Sequence, residues 1–149
     1  MIILDTDHLS LLQVRDAPAA FALQGRLATF SHDEIMATVI TVEEQMRGWL
    51  ARLHAVTEVQ QQVAYYERLL RLMAFFSAWI VLPFDQQAAE RFPQLRRQRI
   101  RIGTMDLKIA AIALAHRLRS CRVIYVTSNR FLGSTSQTGA ISPPKYRRL

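Results

Sequence analysis

The sequence predicts an α/β domain with a central parallel sheet and helices over both faces. Two observations carry that prediction. Short apolar runs at residues 1–4, 35–41, 79–83 and 122–126 read as buried strands and are separated by longer segments with helical spacing. The chain also has 149 residues, half of them hydrophobic, which suits one domain with one core.

Taken in order, residues 1–4 form a strand ending at Asp5, and residues 9–14 a short helix. Residues 19–30 read as a helix because Phe21, Leu23, Leu27 and Phe30 recur near helical spacing. The β-branched run at 35–41 is a second strand, and Thr41 opens a helix with the stripe Val42, Met46, Trp49, Leu50 and Leu53. Its rotated face, Glu44, Gly48, Ala51 and Ala55, is small enough for close packing. After a break near Val56-Thr57, a second helix carries Val59, Val63, Tyr66, Leu70, Met73 and Phe76, so the two form a hairpin. A strand at 79–83 leads to Asp85 as N-cap of a helix over 86–97, which Pro93 is expected to end or kink. Residues 105–118 are an alanine-rich helix, 122–126 the last strand, and residues 133–149 an irregular, disordered or degenerated tail beyond a domain of residues 1–132.

Composition narrows the function. One cysteine, Cys121, excludes a disulfide framework and a multi-Cys zinc site. The apolar runs fall short of the roughly 18–20 residues of a membrane span, and Asp5 and Asp7 stand where a signal peptide needs positive charge, so a cytoplasmic protein is expected. The net charge is +7, and seventeen of the nineteen cations are arginine, which favours a polyanionic partner.

In parallel sheets ligands bind at the carboxyl ends of the strands, here Asp5, the segment 41–44 and the segment 127–129. Asp5 ends a buried strand, an unfavourable place for a carboxylate unless it binds something. Asp7 suits a helix cap. Glu43 and Glu44 both suit a first helical turn, with Glu44 facing the small-residue crevice and Glu43 nearer solvent. Asp106 lies at the start of the alanine-rich helix, with Thr104 as candidate N-cap. Each acid has an ordinary structural explanation. Together they are three carboxylates that one sheet edge can gather, a hard-oxygen set suited to Mg²⁺ or Mn²⁺ and to phosphodiester hydrolysis.

Four segments then match a known pattern. Ile3-Leu4-Asp5-Thr6-Asp7-His8-Leu9-Ser10, Ile40-Thr41-Val42-Glu43-Glu44-Gln45-Met46-Arg47-Gly48, Ile102-Gly103-Thr104-Met105-Asp106-Leu107-Lys108-Ile109-Ala110-Ala111 and Val126-Thr127-Ser128-Asn129-Arg130 resemble, in order, the four motifs of PIN-domain proteins, especially VapC-type toxins of toxin–antitoxin pairs. The glutamate four residues before the glycine selects Glu44 over Glu43. The resemblance implies a three-layer α/β/α, Rossmann-like fold and a metal-dependent endoribonuclease. It also implies an antitoxin partner, an RNA substrate and a homodimer. Asp5, Glu44 and Asp106 are then the catalytic, Mg²⁺- or Mn²⁺-binding acids, and Thr6, Thr127 and Asn129 are supporting polar groups. Arg96, Arg97, Arg99 and Arg101 are either a solvated helix end or contacts to RNA phosphate or antitoxin carboxylates.

The end of the chain departs from the pattern. Family members place a fourth acid after the Thr-x-Asn segment, yet no Asp or Glu follows Asp106. The expected consequence is weak metal affinity and low activity. The alternative is a catalytically impaired domain that only binds its antitoxin. A phosphoacceptor receiver domain would need an acid at the end of a middle strand, and Asp85 is better explained as a cap. His8, His32, His54 and His116 lack ligand spacing and read as structural or surface groups.

Overall fold

The structure is a computed structural model and describes residues 2–14, 17–99, 102–116, 122–127 and 130–132, the last two segments as backbone. Its sheet runs β3-β2-β1-β4-β5, with β1 Ile2–Leu4, β2 Ile35–Thr38, β3 Ile80–Leu82, β4 Arg122–Thr127 and β5 Arg130–Leu132. The first four are mutually parallel: β1 aligns Ile3 with Met36 of β2 and with Val123 of β4, and β2 aligns Ala37 with Val81 of β3. β5 returns antiparallel to β4, pairing Thr127 with Arg130. The sequence reading had no strand there.

Helices α1 (Thr6–Leu12), α2 (Pro18–Leu27), α3 (Val39–His54), α4 (Val59–Ser77), α5 (Gln86–Arg97) and α6 (Thr104–Ala115) connect the strands. Strand alternation sorts the core into two faces. Ile2, Leu4 and Ala37 pack with Leu9, Leu23, Leu27, Leu72 and Phe76, from α1, α2 and α4. Ile3, Met36 and Leu82 point the other way, against Ile40, Ala88, Ile109 and Ile112. The result is the predicted three-layer α/β/α arrangement with a central parallel sheet.

Two local expectations are corrected, at the end of β2 and on α3. β2 stops at Thr38, because its hydroxyl caps α3 by accepting from the Thr41 amide at 3.2 Å, and the β-branched residues 39–41 form the first helical turn. The small-residue face of α3 is exposed; nothing lies within 4 Å of a Cβ built on Gly48, and the buried positions are Ile40, Thr41, Gln45 and Leu53. α5 spans the expected Gln86–Arg97 without ending at Pro93, and Asp85 caps it as expected by accepting from the Ala88 amide at 2.9 Å. On α4 the predicted stripe faces outward: Val59, Val63, Tyr66, Leu70 and Met73 are exposed, while Leu72 and Phe76 turn to the core.

Candidate active site

In an open α/β sheet the binding crevice forms where neighbouring strands send their connections in opposite directions. Here that is the gap between β1, whose chain continues toward β2, and β4, which continues toward β5. Asp5 follows the last residue of β1, at the carboxyl end of this gap. It is the N-cap of α1, a role the sequence reading gave to Asp7, which is instead an exposed first-turn acid. One Asp5 oxygen, Oδ1, accepts from the His8 backbone amide at 3.0 Å and meets the His8 ring Nδ1 at 2.5 Å. His8 is 2% exposed. Sequence reasoning passed over it because the D-x-x-H spacing matches no metal-ligand pattern, although that spacing on a capped helix does bring the ring back to the cap.

Glu44 stands in the second turn of α3, half-buried, and accepts a hydrogen bond on Oε2 from the Thr6 hydroxyl. Glu43 points to solvent, as expected, and pairs with Arg47 at 3.5 Å. Gln45, which the sequence reading did not single out, is buried and ties the two helices together. Its Nε2 donates to the Thr6 carbonyl at 3.3 Å and to the Ser10 hydroxyl at 3.2 Å, and its Oε1 accepts from Gln13 at 2.6 Å. Ser10 in turn donates to the Thr6 carbonyl at 2.7 Å. A buried glutamine between polar turns of two helices was the available signal.

Asp106 is the third position of α6. Gly103, not Thr104, is the N-cap, and its amide donates to Asp106 Oδ2 at 3.2 Å. A Cβ at Gly103 would come within 3.1 Å of that oxygen, so glycine permits the carboxylate to fold back over the helix start. The Asp106 carboxyl is pushed above the ordinary aspartate value. Burial is the main cause; the Gly103 amide opposes it, and the charges of Glu44 and Asp5 add to it. Asp5 and Glu44 therefore both lie within electrostatic reach of Asp106. Among the described residues, no three His, Cys, Asp or Glu side chains are gathered closely enough to hold an ion as they stand. The donor chemistry nevertheless fits a hard divalent cation. Every member is a carboxylate, and like-charge repulsion of the kind felt by Asp106 is what such an ion offsets.

Thr127 ends β4 at the same edge. Asn129 and Arg101 lie outside the described residues, as does the tail at 133–149. Arg96, Arg97 and Arg99 are exposed at the end of α5, ahead of the short link to α6. Arg99 has φ of 52°, the left-handed region that usually belongs to glycine just after a helix.

The fold agrees with that of known proteins. The PIN domain profile matches residues 2–130, and the chain belongs to the PIN domain family. No curated protein matches the chain. Among solved structures it is similar to FitAcB from Neisseria gonorrhoeae, with 24% identity over 78% of this chain and 83% of that one and a TM-score of 0.56. It is also similar to VapBC-1 from nontypeable Haemophilus influenzae, with 21% identity over 85% and 87% and a TM-score of 0.56. A third similarity is to VapC20 of Mycobacterium tuberculosis, described as a sarcin–ricin loop cleaving toxin, with 12% identity over 84% and 90% and a TM-score of 0.50.

Proposed function

We propose that this PIN domain is a divalent-metal-dependent endoribonuclease and the toxin of a toxin–antitoxin pair. The observation that carries the reading is the placement of the acids: Asp5 follows the carboxyl end of β1, Glu44 accepts from the adjacent Thr6 hydroxyl, and Asp106 stands in the first turn of α6. Asp5 and Asp106 would hold Mg²⁺ or Mn²⁺ with Glu44. When bound, such an ion activates water and neutralises charge on the scissile phosphate. The chain's own part is to present the carboxylates in fixed directions. His8 and the Gly103 amide orient the two aspartates, and Thr6 holds Glu44. Thr127 supports the same edge, and Arg96, Arg97 and Arg99 bind the phosphates flanking the cut; the resemblance gives Asn129 and Arg101, outside the described residues, the same two roles.

The partners in this reading are an antitoxin, RNA and a second copy of the chain, in the cytoplasm. Among the described residues no helix is long and apolar enough to cross a membrane. The outward stripe of α4 offers an antitoxin helix an apolar seat, and the arginines offer its carboxylates partners. A similar structure from Klebsiella pneumoniae is named a toxin–antitoxin complex, which supports the reading.

The test is cleavage of RNA by purified protein in Mn²⁺ or Mg²⁺ against chelator, with Asp5→Asn, Glu44→Gln and Asp106→Asn as inactive controls. Metal-independent cleavage, or cleavage that survives all three substitutions, refutes it. A binding-only reading is favoured by one observation, the lack of any Asp or Glu after Asp106. Antitoxin binding without RNA cleavage even at high Mn²⁺ would select that reading.

A further inference from the structure

We infer that His8 is a positioning residue for the Asp5 carboxylate, setting its direction toward a divalent cation. The inference rests on the metal reading above and adds a residue to it. Asp5 Oδ1 receives two contacts from one residue, the His8 amide at 3.0 Å and the His8 ring Nδ1 at 2.5 Å. An ionised carboxylate only accepts, so Nδ1 carries the hydrogen that lies between them.

Capping alone does not need this ring. The equivalent acid at the start of α5, Asp85, accepts from the Ala88 amide at 2.9 Å, and no side chain of that first turn bonds back to it. The nearest imidazole, His116, reaches Asp85 from another helix and only to 3.6 Å. At α1 the second donor is built into the capping turn itself, three residues on, and is shut away from water. A solvated cap gains little from a buried imidazole, whereas a metal ligand gains a fixed carboxylate plane. Hydrogen-bond partners of ligating groups typically change metal affinity by about 10–100-fold when removed.

The geometry distinguishes between substitutions. Asparagine can place an amide N–H near the position of Nδ1; glutamine places its amide one bond farther, near Nε2; leucine places nothing. Mn²⁺ binding is measured by calorimetry on the full chain, with thermal unfolding in chelator to establish folding. His8→Asn is expected to bind Mn²⁺ within about threefold of the parent, and His8→Gln and His8→Leu about 10-fold or more weakly. If His8→Leu does not fold, the Asn–Gln pair decides alone. Equal affinity for folded Asn and Gln variants overturns the role of His8, as does parental affinity in folded His8→Leu. The Asp5→Asn variant separates the two layers of the argument. If the parent binds no Mn²⁺, or Asp5→Asn binds as the parent does, the metal site itself is wrong. If Asp5→Asn weakens binding and the His8 variants do not, only the positioning role fails.

Discussion

Replacing Gln45 with alanine tests how the two halves of the site are held together. α1 carries Asp5 and Thr6, α3 carries Glu44, and Gln45 spans them with bonds to Thr6, Ser10 and Gln13. Each neutral hydrogen bond contributes about 0.5–1.5 kcal/mol net, and the longest of the three belongs at the low end. The Thr6 carbonyl keeps its bond from Ser10, and Gln13 and Ser10 are exposed, so no partner is left buried and unpaired. The lost methylene adds about 0.8 kcal/mol, while freeing the side chain returns roughly 1–2 kcal/mol of entropy. The net cost is about 2 kcal/mol, or about 6 °C in Tm for a domain of this size. Thermal unfolding in chelator reads the total. Amide exchange at residues 6–10 reads where it is lost, and it should accelerate there before it does in α6. A Tm within about 1 °C of the parent, with unchanged exchange in α1, would show that the bridge contributes nothing.

Saturating Mn²⁺, at about a hundred times its Kd, should stabilise the parent by about 2.7 kcal/mol, or roughly 8 °C. Asp106→Asn should lose that shift yet melt no lower than the parent in chelator, because burial and two neighbouring carboxylates oppose the charge it removes. Arg99→Gly should raise stability by about 1 kcal/mol by relieving the left-handed backbone. The same change should reduce the slope of log affinity for single-stranded RNA against log salt by about 0.7 if Arg99 contacts a phosphate. Pro93→Ala should stabilise α5 by about 2–2.5 kcal/mol: a helix-interior proline costs about 3 kcal/mol against alanine, offset by about 0.4–1 kcal/mol through its stiffening of the unfolded chain. Denaturant midpoints check both, and a loss of stability in either variant contradicts the local argument.

The fold was legible because its strongest signals are local. Residues 2–4 and 35–38 are apolar enough to be read as buried strands, and Asp85 is an unambiguous cap. The boundary at Thr38 was not legible, since β-branched residues 39–41 favour a strand by propensity and become helical only because Thr38 caps the turn and Ile40 and Thr41 are buried. The outward direction of the α4 stripe was not legible for a related reason. The helix carries two apolar stripes, and periodicity does not say which of them the core takes. Of the site, the three carboxylates were visible as acids at strand ends and helix starts. His8 and Gln45 were not, because their roles depend on what a folded turn or a neighbouring helix brings against them, and no spacing rule encodes that.

The central claim, that Asp5, Glu44 and Asp106 together hold the cation of a ribonuclease, is tested most directly by crystals of the protein grown with Mn²⁺ and measured at the manganese absorption edge. The account predicts an anomalous peak at the carboxyl edge of the sheet, with oxygens of Asp5 and Asp106 within roughly 2.0–2.6 Å and Glu44 bound directly or through water. A peak elsewhere, or saturating Mn²⁺ with none at this edge, would contradict it.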